Sequence, residues 1–251
     1  MRSIRFAALT LCLAGALSPF AQASPPVQES TVWADSARTR VKFLPESALD
    51  RIDLSGKASP SMASPLSGTE AEQIRTLAGR SRELKGGCFP LPRFESDQPG
   101  EKRKLTLDQL ARSADFAVLG TVEQIVPGWS TQLIRPATLV QLHVSEVLFD
   151  RNRRARGSAS LSYLQRSGSI QVEGTKICSV DPENRAAVLG RELLVIGVWD
   201  RQNPNVAQSL HTFAVAGDHV ELPKDAQLKP YLERDPEGSL SRLRAALAEA
   251  H

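Results

Sequence analysis

The sequence predicts a mainly β protein: a small β-barrel or curled antiparallel sheet, with a short helix before it and a helical tail after it. Three observations lead there. Five or six short apolar runs follow Cys88, rich in β-branched residues and leucine and separated by Gly, Pro, Asn and Asp. Long amphipathic helices are few. Closing such a sheet would also solve the exposed-edge problem of a flat one.

The N-terminal 23 residues read as a cleavable secretory signal. Arg2 and Arg5 make a positive start, an apolar run extends from Phe6 to Leu17, and Ala21-Gln22-Ala23 supplies small residues for a cut after Ala23. The run is too short to span a bilayer, which takes about 20 residues. No later segment of the sequence approaches that length. Removing Arg2 and Arg5 from the 31 basic residues leaves 29 against 28 acidic ones. A near-neutral mature chain has no global pull toward nucleic acid or anionic membrane. Cys12 leaves with the signal, so Cys88 and Cys178 remain, and in an oxidising compartment they pair most simply as one disulfide. A reactive thiol with a histidine partner is the rival reading.

Residues 24–87 read as a flexible or partly helical extension. Ser24-Pro25-Pro26 and the Ser/Pro/Ala/Gly stretch from Ala58 to Gly68 bury too little apolar area to offset the entropy of ordering. Thr31-Val32-Trp33 and Arg40 to Leu44 are suited to dock as short extended pieces. Thr69 to Lys85 is spaced for a helix with Ile74, Leu77 and Leu84 on one face, ended by Gly86-Gly87. The β domain is expected over 88–222. Leu105 to Ala114 reads as a helix entered through Thr106, with Gln109 completing a capping box.

Phe116 to Val126 reads as a long strand, buried on both faces at its start and broken by Pro127-Gly128. Thr138 to Leu148 alternates, with Val140, Leu142, Val144 and Leu148 on one face and Gln141, His143 and Ser145 on the other. Ser158 to Leu164 is a third strand and Ser169 to Val172 a short fourth. Glu192 to Trp199 is nearly all apolar and ends at Asp200, before a turn at Asn203-Pro204-Asn205. His211 to Ala216 and His219 to Leu222 form a closing hairpin about Gly217-Asp218. In the tail, 223–251, Asp235 and Pro236 start a helix whose Leu240, Leu243 and Leu247 form one stripe. Such a stripe docks on the parent domain or on a partner.

The order of these segments carries a resemblance. Ala114-Asp115-Phe116-Ala117-Val118-Leu119-Gly120-Thr121-Val122 is similar to the opening of secreted domains of the tissue-inhibitor-of-metalloproteases and netrin-module kind. Leu139 to Leu148, followed by a basic turn, resembles their next strand. Cys178 ahead of Leu189-Gly190-Arg191-Glu192-Leu193-Leu194-Val195 resembles a later one. The similarity runs from Cys88 to Leu222 and implies an OB-like five-stranded barrel. Inhibitors of this kind chelate their target's zinc through an N-terminal Cys-x-Cys, which this chain lacks. The resemblance therefore carries the fold and assigns no residue a role.

Common zinc, calcium, serine-nucleophile and phosphate-loop signatures do not occur in the sequence. No cofactor and no metal is expected. The candidate anion site is Arg151, Arg153, Arg154 and Arg156, four guanidinium groups in one loop that can clamp phosphate, sulfate or a polyanion, or simply solvate a loop tip. A weaker constellation is His211 with His219 and Asp218. His143 belongs to a polar strand face, and Trp129 is either an exposed loop aromatic or a lid over a barrel end. The expected function is an exported binding module, with an envelope or extracellular protein or an anionic ligand as partner. The alternatives are a hydrolase assembled only in three dimensions, or an envelope protein tethered by residues 24–68.

Overall fold

The protein is seen as a computed structural model that describes residues 43–49, 68–83, 88–90, 107–131, 133–181, 184–200, 206–221 and 239–249. The expected signal at 1–23, most of 24–68, the turn at 203–205 and the cap at 235–236 lie outside the described residues. The described elements in chain order are β1 (Phe43–Pro45), α1 (Glu46–Leu49), α2 (Gly68–Glu83), β2 (Phe89–Pro90), α3 (Leu107–Ser113), β3 (Phe116–Ser130) and β4 (Arg135–Asp150). They continue with β5 (Ser160–Gln165), β6 (Gly168–Val172), β7 (Thr175–Val180), β8 (Glu192–Trp199), β9 (Ala207–Ala216), β10 (His219–Glu221) and α4 (Ser239–Glu249). Among the described residues no helix is long and apolar enough to cross a membrane.

The fold is mainly β and built around a curled, mixed sheet of seven strands. β3 is its spine. One flank of β3 pairs with β4 along its whole length. The other flank pairs with β8 over Phe116 to Thr121 and with β1 over Gly128 to Ser130. β4 continues to β5, β5 to β9 and β9 to β8, so the curl comes back round to β3. The barrel is not closed: β5 and β9 meet only at Tyr163↔Ala207 and Leu164↔Gln208. They run parallel there, which makes the sheet mixed where a purely antiparallel one was an alternative.

Glycines at register shifts make the curl. Pairing of β3 with β4 slips between Leu119 and Gly120, and pairing of β8 with β9 slips between Ile196 and Gly197. A Cβ on Gly120 would lie 2.5 Å from the His143 carbonyl oxygen, and one on Gly197 would lie 2.5 Å from that of Gln208. Bulges with a bare Cα let neighbouring strands approach and bend sharply. They also move side chains between faces. Val140, Leu142 and Val144 stay on the inner face, but Leu148 turns outward to the cluster under the helices while Val147 turns in. An unbroken alternation would have kept Leu148 inside.

β3 runs four residues past its expected end. Pro127 falls in the gap between the β8 and β1 partners, where that flank has no ladder to break. Trp129 thereby lies in a strand, fully buried with Leu49, Ile74, Ala78, Ile170 and Ile177. The segment expected to dock extended near Arg40 to Leu44 does so from Phe43, and α2 presents Ile74 and Ala78 to the same cluster. That cluster packs on a second sheet, ordered β2-β7-β6. The β6–β7 hairpin turns at Glu173-Gly174, both with positive φ, the twist that a two-residue hairpin requires.

Both faces of early β3 are covered. Phe116, Val118 and Val122 point into the curl with Val140, Leu142, Tyr163 and Val195. Ala117 and Leu119 point out, under Leu110, Ala111 and Ala114 at α3 and under Leu240, Leu243 and Leu247 of α4. The leucine stripe of the tail therefore docks on its own domain.

Tyr163 is fully buried inside the curl, and its hydroxyl has no hydrogen-bond partner among the described residues. Burial pushes the phenol well above its ordinary 10.0, because ionising it there forfeits hydration. Above that value the unfolded chain releases a proton that the folded chain keeps, so stability falls as pH rises. Tyr163→Phe should leave stability at about pH 7 within about 1 kcal/mol of the parent. It should also flatten the loss above about pH 10, which denaturant midpoints at both pH values measure. A larger loss at neutral pH would mean that the hydroxyl is bonded.

Candidate functional site

The arginine loop, Arg151 to Gly157, leaves the end of β4 and is held from two sides. Asp115, the residue before β3, accepts the Trp199 N–H on its Oδ2 at 2.9 Å. Its own N–H donates to the Gly197 carbonyl at 2.8 Å, and its carbonyl accepts the Arg151 N–H at 2.8 Å. One residue thus fastens the start of β3 to the ends of β8 and β4. Asp150 then shapes the loop itself. Its Oδ2 accepts the N–H groups of Ala155 at 2.6 Å and Arg156 at 3.3 Å, a carboxylate turned on its own following chain. Ala155 is buried in the inner cluster, and Arg153 and Gly157 take positive φ to complete the tight path.

This framework gives the four arginines different tasks. Arg151 donates through a terminal nitrogen to the Ala111 carbonyl at 3.1 Å, near the end of α3. Arg154 lies over the Trp199 ring at 5.7 Å, and that ring in turn packs 4.9 Å from Phe116. Arg153 and Arg156 are exposed, with no side-chain partner among the described residues. All four sit on one short exposed loop, together with exposed Arg112 at the end of α3. Two of the guanidinium groups are therefore committed to the fold, and two remain to meet a ligand.

The histidine constellation is not brought together. His211 is buried and stacked on Phe213, while His219 is exposed and pairs with Ala216, five residues further along β9. That is about 16 Å of strand. Asp218 instead accepts the Ser241 hydroxyl at 3.2 Å and the Leu240 N–H at 3.3 Å on its carbonyl, anchoring the start of α4. Among the described residues no three His, Cys, Asp or Glu side chains group to hold a metal. His143 lies 3.6 Å from Glu123, both half exposed on an open sheet face.

Cys88 and Cys178 stand at bonding distance, with sulfurs 2.03 Å apart and Cα atoms 4.7 Å apart. Beside them Phe89 and Pro90 pair with Ser179 and Val180 in parallel register, so the bridge pins β2 to β7. Reading the sequence alone did not find Asp115, Asp150 or Trp199 as the supports of the loop. An aspartate directly ahead of an Arg/Asn/Gly stretch was the available signal for Asp150. Nothing local in the sequence marks Trp199 as the seat of Arg154.

The bridge spans 90 residues, and replacing both cysteines with alanine should lower unfolding stability by about 2–5 kcal/mol. Chemical denaturation checks this, and an unchanged midpoint would show that residues 88–90 are held without the bridge. No family model matches the chain, and no curated protein matches it either.

Proposed function

We propose that the protein is an exported binding module, built on an OB-like five-stranded core, that takes an anionic ligand on its arginine loop. The observation that carries the proposal is the state of that loop. Asp150 and Ala155 set its backbone, Asp115 and Trp199 set its base, and Arg153 and Arg156 are left exposed beside two further guanidinium groups. A loop shaped in advance loses little entropy on binding, and guanidinium forks match the paired oxygens of sulfate, phosphate or carboxylate. Export is supported by the N-terminal pattern and by the Cys88–Cys178 pair.

The pairing order β3-β4-β5-β9-β8 supports the OB-like reading, since that fold is a partly open five-stranded barrel. It agrees with the resemblance to tissue-inhibitor-of-metalloproteases and netrin modules, whose zinc-chelating Cys-x-Cys has no counterpart in this chain. The ligand is an anionic group on an envelope or extracellular partner.

Immobilised heparin is a suitable polyanion for the test. Arg153→Gln with Arg156→Gln should lower the eluting salt clearly while stability stays within about 0.5 kcal/mol of the parent. Arg80→Gln, an exposed change on α2, should leave elution unchanged. Equal elution of the double variant and the parent would overturn the proposal.

A further inference from the structure

The positive charge of this near-neutral chain is unevenly spent. Arg166 lies 4.0 Å from Asp181, Arg244 lies 2.6 Å from Glu146, and Arg185 and Arg191 lie 3.3 and 3.9 Å from Glu221. Arg112, Arg151, Arg153, Arg154 and Arg156 are instead exposed, with no acid partner among the described residues. The aspartates at the base of the loop are held within the fold. Asp115 accepts the Trp199 N–H, Asp150 accepts those of Ala155 and Arg156, and Asp200 accepts the Gln208 amide at 3.2 Å. Immediate chain neighbours outside the described residues, Glu101 to Lys104 and Arg201, carry one acid and four bases.

Arg151 joins Arg112 to the loop. Its guanidinium donates to the carbonyl of Ala111, the residue before Arg112, so the exposed end of α3 and the loop make one basic surface. That bond uses one of the five or so donors on a guanidinium. Arg154, held by its face on Trp199, keeps its edge N–H groups unbonded among the described residues. Asn152, exposed between the arginines, adds a side-chain amide with no partner among the described residues.

The exposure of these groups decides the size of the ligand. Clefts of about 310 and 340 Å³ lie against α2 and beside the Cys88–Cys178 pair, and neither includes any of the five arginines. On an open surface each ion pair improves binding about fivefold at most, so a lone anion on two guanidinium groups is held in roughly the tens of millimolar. Useful affinity needs one ligand that carries several anions, which then meet further arginines at high effective concentration. The exposed large hydrophobics, Ile134, Val180, Val188 and Leu189, belong neither to the loop nor to α3. The basic surface therefore offers no apolar centre for a protein partner and no wedge for a membrane. Guanidinium forks beside a free amide suit a chain of anions and hydroxyl groups.

We infer that the arginine loop and Arg112 together bind a linear anionic polysaccharide, whose sulfate, phosphate or carboxylate groups run from the loop to the end of α3. The inference rests on the anion-binding reading of the loop and names its ligand class. The probes are fluorescein-labelled heparin fragments, a disaccharide, a hexasaccharide and a dodecasaccharide, followed by anisotropy with the full chain.

Affinity should rise at least about tenfold from the disaccharide to the dodecasaccharide. Arg112→Gln should weaken the dodecasaccharide about two- to fivefold and make its binding less salt-dependent. Arg80→Gln should leave it unchanged. The variant with Arg153→Gln and Arg156→Gln should bind every length more weakly, and if it binds as the parent does, the anion-binding reading itself fails. If that variant binds more weakly but affinity is flat with length, or Arg112→Gln binds as the parent does, the loop takes a lone anion and only the present inference fails. A stiff sugar chain loses less freedom than a peptide coil, so poly-glutamate of matched charge should bind more weakly than the dodecasaccharide. Equal or tighter binding of poly-glutamate would overturn the polysaccharide as ligand.

Discussion

Asp115 holds three chain segments at one point, and the architecture on both sides depends on that clasp. Through its side chain and backbone it joins the start of the spine strand to the ends of β8 and β4. Hydrogen bonds to a charged group contribute about 1.5–3 kcal/mol, more than a neutral backbone pair. Position matters more than strength here. The Trp199 amide fixed by Asp115 carries the ring that seats Arg154, and the Arg151 amide it fixes is the first of the arginine loop. The same contact that shapes the end of the curl therefore sets the base of the candidate site.

Curvature comes from a different source. A long strand such as β3 can serve β4, β8 and β1 only if it bends, and the slips at Gly120 and Gly197 provide the bend where a side chain would strike a facing carbonyl. Once bent, the sheet has an inner face filled by Phe116, Tyr163 and Val195 and an outer face too apolar to leave in water. α3 and α4 cover that outer face, and α4 is anchored through Asp218 to the last hairpin. The β6–β7 hairpin with α2 makes a separate cluster around Trp129. The cleft beside Cys88 and Cys178 lies along the seam between that hairpin and the curl.

Much of this was legible in the sequence because it is local. β8 runs over the predicted Glu192 to Trp199, and the leucine stripe of α4 packs as its spacing implies. The two-sided apolar start of β3 announced burial on both faces, and the curl and the two helices provide it. What was not legible depends on partners distant in the chain. Pro127 reads as a strand break until the gap between β8 and β1 is known. Leu148 changes face because of slips in pairing that its own alternation does not encode. The arginine loop was visible as a run of charge, but the division between Arg151 and Arg154, which hold the fold, and Arg153 and Arg156, which face solvent, needed Ala111 and Trp199 in place.

The central claim is that the arginine loop is shaped before any ligand arrives, by Asp150 within and Asp115 beneath. Backbone ¹⁵N relaxation of the unliganded chain tests it most directly. The account predicts order parameters across 151–157 close to those of β4, about 0.85. Values below about 0.6 over the same residues would contradict it, since a loop that moves freely is not held by the Asp150 carboxylate.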